Sequence, residues 1–226
     1  VETGHFATLW KKIAEKIGLK PEFIAGDWRR GVDASAVEAR LREDKGQAIK
    51  AVCVVHNETS TAVTSDIAGV RRAIDAAKHP ALLMVDCVAS LGCMPFEMDA
   101  WGVDVAMTGS QKGLMTPPGL AMVVANDKAH EAYKTANLKT LYWDWGFRQG
   151  DLHYHKYCGT PPEHHLFGLR KAIDMLFAEG LDAAFKRHAL LAEATRQAVA
   201  RWAEGQVLAF NITSPGERSD SVTNVL

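Results

Sequence analysis

Apolar positions along the chain repeat with two periods. From Gly4 to Ile17, Phe6, Leu9, Trp10, Ile13 and Ile17 fall at helical spacing, with Lys11, Lys12, Glu15 and Lys16 outside and Gly18 as a stop. Short apolar runs of strand length recur at Ala48–His56 (AIKAVCVVH), Leu82–Asp86 (LLMVD), Val103–Gln111 (VDVAMTGSQ) and Gly119–Ala125 (GLAMVVA). Pro21–Ala25 reads as a further short strand and Asp27–Gly31 as a loop. Between the runs lie helical patterns. One covers Ala34–Arg42, capped by Asp33 or Ser35 and ending near Gly46. Another covers Asp66–Lys78, with Ser65 as its cap and Ile67, Val70, Ile74 and Ala77 inward, until His79-Pro80 stops it. Asp127–Thr135, Glu163–Ala178 and Leu181–Trp202 complete the helices. Leu138–Thr160 is irregular and dense in Trp, Tyr and His; Val207–Phe210 opens a different region, and SDSVTNVL alternates like a strand just starting.

Strands alternating with helices predict an α/β fold, a three-layer sandwich with a mostly parallel sheet. Only six residues separate Lys112 from Gly119, too few for a crossover helix, so the last strand should return antiparallel. Residues 1–204 read as one large domain with its connecting helix, and residues 205–226 as the start of a small C-terminal α+β domain. The chain opens on Val1 and ends in mid-pattern, which reads as an internal stretch of a longer protein.

Composition narrows the function classes. With 26 basic against 27 acidic residues, the net charge is −1, and no basic field favours nucleic acid or a membrane surface. No apolar run approaches the ~20 residues of a membrane span. Cys53, Cys87, Cys93 and Cys158 show neither CxxC nor zinc spacing and read as reduced thiols of a cytoplasmic protein. His153, His155, His164 and His165 are numerous, but no carboxylate–histidine frame stands at ligand spacing, so no metal site is expected.

The chemistry concentrates at two strand ends. LLMVD delivers Asp86, and VDVAMTGSQK delivers Ser110, Gln111 and Lys112, to the carboxyl edge of the sheet, where ligands of open α/β folds bind. A carboxylate and a lysine facing one crevice suit pyridoxal 5′-phosphate (PLP), which needs an amine for a Schiff base and an acid at the pyridine nitrogen. The sequence offers a plain alternative for each: a surface lysine, and an aspartate capping the next helix.

The run from HNETST through VDCVASLG to GSQKGL resembles the class V, fold type I aminotransferases, nearest to the alanine/serine–glyoxylate branch. That resemblance implies PLP as cofactor, a homodimer, and transamination from serine, alanine or aspartate to glyoxylate. It implies roles for particular residues. Lys112 would be the nucleophile and proton carrier, and Asp86 the partner of the ring nitrogen. Val88 would pack on one ring face, and Phe6, in TGHFA, on the other, unless Phe6 is helix core. Thr59 would bond the phenolic oxygen, and Gln111, with Ser110 beside it, the phosphate. Tyr157 and Thr160, in KYCGTPP, would cross from a neighbouring subunit to that phosphate. The aromatic stretch with Trp143 and Trp145 would shape the acceptor pocket. His56 reads as a structural strand-end histidine. The family's phosphate-binding turn would lie before Val1 and its substrate arginine beyond Leu226; Arg29, Arg30, Arg148 and Arg170 do not match it. Two rivals remain: a class V enzyme of other chemistry, such as a cysteine desulfurase using Cys158 or a lyase, and a non-catalytic α/β binding module.

Overall fold

The computed structural model describes residues 1–205 and 207–226. Helix α1 (His5–Lys16) and helix α2 (Ala34–Glu43) precede strand β1 (Ala51–Val55). A small antiparallel pair follows, β2 (Asn57–Glu58) with β3 (Val63–Thr64), then α3 (Ile67–Ala76), β4 (Leu82–Asp86), β5 (Val105–Gly109) and β6 (Ala121–Ala125). Beyond the sheet come α4 (Asp127–Lys134), two short helices α5 (Trp145–Arg148) and α6 (His153–Tyr157), and the long α7 (Glu163–Glu179) and α8 (Leu181–Ala203).

The sheet runs β1-β4-β5-β6. Its first three strands are parallel, with Val55 opposite Asp86 and Asp86 opposite Met107, so their carboxyl ends share one edge. Strand β6 returns antiparallel beside β5, as the six-residue spacing requires. One sheet face carries Val52, Val54, Leu83, Val85 and Ala106 against Val37 and Leu41 of α2 and Ile67, Val70 and Ile74 of α3. Burying each of these Val, Leu and Ile side chains contributes about 1.5–3 kcal/mol, which makes this layer the anchor of the fold. By the two-residue alternation of strands, Cys53, Met84, Asp86 and Met107 point to the other face and are only half-buried. Helix α1 packs against β1 and β2 and fully buries only Ala7.

Several local expectations change. Pro21–Ala25 is loop: Pro21 has no N–H to donate, and the segment's one backbone tie is Glu2 N–H to Ile24 O at 2.9 Å. Asp33, not Ser35, caps α2, accepting from Ser35 and Ala36 N–H. Asp66, not Ser65, caps α3, because the Ser65 hydroxyl accepts from Val32 N–H instead. The irregular stretch contains α5 and α6. The C-terminal alternation forms a short ladder within its own segment, Ala209 and Leu226 exchanging two backbone bonds and Asn211 bonding Asn224. The same segment leans on the body through Asn211 to Trp28 and Thr61 carbonyls, Ser219 N–H to Ala62, and Ser221 to Ala89.

Candidate active site

Asp86 ends β4 with its Oδ1 accepting from Val88 N–H at 2.8 Å. That short turn fixes the carboxylate at the strand tip and places Val88 beside it, half-buried. Burial pushes the Asp86 carboxyl above its ordinary value; the Val88 bond opposes this, and the charge of Glu58 adds to it. Among the described residues Asp86 forms no ion pair. It is a desolvated acid poised to accept a cationic or N–H donor.

Lys112 sits three residues past β5, in the return to β6. Its mount is built by Ser110, fully buried, whose hydroxyl donates to Pro117 O at 2.8 Å and accepts from Leu120 N–H. The Ser110 carbonyl accepts from both the N–H and the hydroxyl of Thr116. The Ser110 hydroxyl is therefore spent on the loop and is no free donor to a ligand, contrary to expectation. Gly113 is required by space: a Cβ there would stand 2.3 Å from Leu91 O. Gln111 is exposed, and its amide folds back over Gly109. The Lys112 side chain is exposed and lines a cleft of about 350 Å³ together with Thr59, Ala89, Cys93, Arg187 and Ser221.

A second cluster stands where β1 gives way to β2. Glu58 is fully buried. Its Oε2 accepts from Phe6 N–H at 3.1 Å and Ala7 N–H at 3.2 Å, and its Oε1 from Ser60 N–H at 3.1 Å and Ser60 Oγ at 2.7 Å. The carboxylate thus serves the orphan donors of the first turn of α1, which has no cap of its own. Gly4 makes room for it: a Cβ there would lie 2.4 Å from Ser60 Oγ and 2.6 Å from Glu58 Cγ. Phe6 is 39% exposed, so it is not the helix-core residue its spacing allowed. Thr59, next in sequence to Glu58, reaches the cleft. His56 is structural: its Nδ1 meets Ser90 Oγ at 2.9 Å, its ring packs on Trp101 and Phe96, and burial lowers its pKa to about 4.

Other expected residues lie elsewhere. Tyr157 ends α6, and the exposed Thr160 follows; neither lines the cleft. Trp143 is 73% exposed and Trp145 stacks on Tyr133, so neither shapes the pocket beside Lys112. Cys158 takes a left-handed conformation at the end of α6, outside the cleft, with no position over Lys112. The half-buried Cys53 and the buried Cys87 thiols are pushed up to about 11 and about 12, chiefly by desolvation, which disfavours the reactive thiolate. Two residues went unnoticed in the sequence. Glu58 lies inside the HNETST motif, but its partners Phe6 and Ala7 are some fifty residues earlier, so nothing local signalled its burial. Arg187 lies on an amphipathic helix, and its guanidinium is held by both Glu179 oxygens at 2.7 and 2.9 Å. No local signal marked it.

Comparison with known proteins follows the same lines. The chain is 46% identical to the serine–glyoxylate aminotransferase of Methylorubrum extorquens over 99% of its length and 56% of that protein's. It is 45% identical to the L-aspartate–glyoxylate aminotransferase of Paracoccus denitrificans, over 98% of its length and 55% of that protein's. The fold matches the crystal structure of the alanine–glyoxylate aminotransferase of Nostoc sp. with a TM-score of 0.82 at 27% identity, over 99% of this chain and 58% of that one. The chain therefore spans about half the length of the relatives it matches. The profile of the aminotransferase class-V family covers residues 1–225, and the chain belongs to that family.

Proposed function

We propose that the full-length protein moves the amino group of a small amino acid, serine, alanine or aspartate, to glyoxylate with PLP as cofactor. The names of the relatives support the reaction. The observation that carries the reading is local: Lys112 opens onto a cleft just past β5, and the neighbouring parallel strand ends in Asp86, a desolvated acid with no ion-pair partner among the described residues. This donor set fits PLP. The Lys112 amine and the Thr59 hydroxyl line the cleft, and the Asp86 carboxylate for a ring N–H and Val88 for a ring face lie at the end of the neighbouring parallel strand.

Bound PLP supplies the electron sink for a carbanion at the substrate Cα. The chain's own residues do the rest. Lys112 would hold the cofactor through its Nζ and, as a free amine, would carry the proton taken from the substrate Cα. Asp86 keeps a proton on the ring nitrogen through a charge-assisted hydrogen bond of roughly 1.5–3 kcal/mol. Thr59 orients the ring edge, and Gln111 stands ready at the phosphate side. Tyr157 and Thr160, remote from this chain's cleft, serve the site of a second copy in a homodimer. Four free cysteines support a reducing, cytoplasmic setting. Residues 205–226 begin a small second domain.

Borohydride reduction of the full-length protein with PLP, followed by peptide mapping, tests the centre of this reading. A phosphopyridoxyl label at Lys112 is expected; labelling elsewhere, or none, overturns it. A donor panel of serine, alanine and aspartate against glyoxylate then selects the substrate.

A further inference from the structure

A fully buried glutamate with no cation beside it needs a reason. Glu58 receives four kinds of donor, all neutral: two backbone N–H groups of α1 and the N–H and hydroxyl of Ser60. Holding α1 alone would not require so much desolvated charge, since a surface Ser, Thr or Asp at the helix start would cap it. The position of Glu58 is distinctive. It touches the backbone of Phe6 on one side, precedes Thr59 of the cleft on the other, and its charge is felt by Asp86. Gly4 admits the carboxylate by having no Cβ.

We propose that Glu58 is a positioning residue of the cofactor site: it clamps the first turn of α1 so that the exposed Phe6 ring stands at a set height over the pyridine position beside Asp86. The proposal rests on the PLP reading above and on the ring-stacking role that the family resemblance implies for Phe6. Phe6 has two side-chain torsions confined to a few wells in a helix, so pinning its backbone limits its ring to a small set of placements. The bonds to Phe6 and Ala7 are charge-assisted, which stiffens the turn more than a neutral cap would. Glu58 touches neither substrate nor cofactor; it acts through Phe6.

The test uses full-length protein loaded with PLP. Glu58→Gln preserves shape but turns an amide NH₂ toward donors on one side. Visible-range circular dichroism of the bound cofactor should fall, and PLP retention should weaken about tenfold, the size of one lost charge-assisted anchor. In the cofactor-free protein, amide exchange at Phe6 and Ala7 should quicken while far-ultraviolet dichroism is unchanged. Phe6→Ala should show the same visible loss, and adding Glu58→Gln to it should cost nothing further, the mark of one shared path. Should Glu58→Gln fail to fold, Gly4→Ala displaces the same carboxylate without removing its charge and should dim the visible signal likewise. An unchanged signal in the folded variants, or a second, additive loss in the double variant, overturns the role of Glu58. Wild-type protein that takes up no PLP overturns the cofactor reading and this proposal with it.

Discussion

The carboxyl edge of the parallel strands and the aromatic stretch from Leu138 to Thr160 are both rich in candidate chemistry, yet they are built in opposite ways. At the strand edge, polar groups are served from within the chain: Ser110 by Pro117, Leu120 and Thr116, Glu58 by Phe6, Ala7 and Ser60, His56 by Ser90. In the aromatic stretch, Leu141, Tyr142 and Trp143 are 65%, 54% and 73% exposed. Arg148 is spent on the Tyr142 and Lys156 carbonyls and on the face of the Tyr142 ring. The first region is a self-sufficient site floor. The second has side chains in search of a surface, which is what a segment serving another copy would look like.

The contrast can be broken or sharpened by experiment on the full-length protein. The largest effect belongs to Lys112→Ala, which should lower transamination by at least ~10²–10⁴-fold, measured as glycine formed from glyoxylate. Asp86→Ala should follow at about 10²–10³-fold, with faster loss of PLP on dialysis. Tyr157→Phe should weaken PLP retention about tenfold. Mixing Lys112→Ala subunits with Tyr157→Phe subunits should yield some dimers with one intact shared site, so activity should exceed that of the Lys112→Ala protein alone and its cofactor retention should exceed that of Tyr157→Phe. Failure of both would return the aromatic stretch to its own chain.

Smaller effects mark the interior and the surface. Burial holds His56 at about 4, against an ordinary 6.5. The unfolded chain therefore takes up a proton below pH 6.5 that the folded chain refuses until about pH 4. Stability should be level above pH 7 and fall as the pH drops from 6.5 towards 4. His56→Gln should remove this part of the acid sensitivity, read from urea midpoints at pH 7.5 and 5.5. Least of all, Arg170→Ala, which removes an exposed i,i+4 pair with Asp174, should change stability by no more than about 0.5 kcal/mol.

Much of this molecule could be read before its structure. The apolar runs marked β4 and β5 because burial on the core face leaves little choice of side chain, whereas β6, mostly exposed, was legible from its apolar run and the short return that makes it antiparallel. Asp86 and Lys112 were legible because strand polarity alone sets which edge they reach. Local competition was not. Whether Ser65 or Asp66 caps α3 depends on Val32, far away in sequence, claiming the serine hydroxyl. Glu58 was invisible for a like reason: its partners, Phe6 and Ala7, lie some fifty residues earlier. Arg187 reaches the cleft through the packing of α8, which periodicity does not orient. The roles proposed for Tyr157 and Thr160 would depend on a second chain, and neither residue lines the cleft beside Lys112.

The latch around Ser110 has a consequence for turnover. In the proposed reaction Lys112 would leave the cofactor in one half-reaction and rejoin it in the other. With the peptide beneath Lys112 bolted at Pro117, Thr116 and Leu120, that swing would be left to the four methylenes of the side chain, a pliant arm on a stiff bracket.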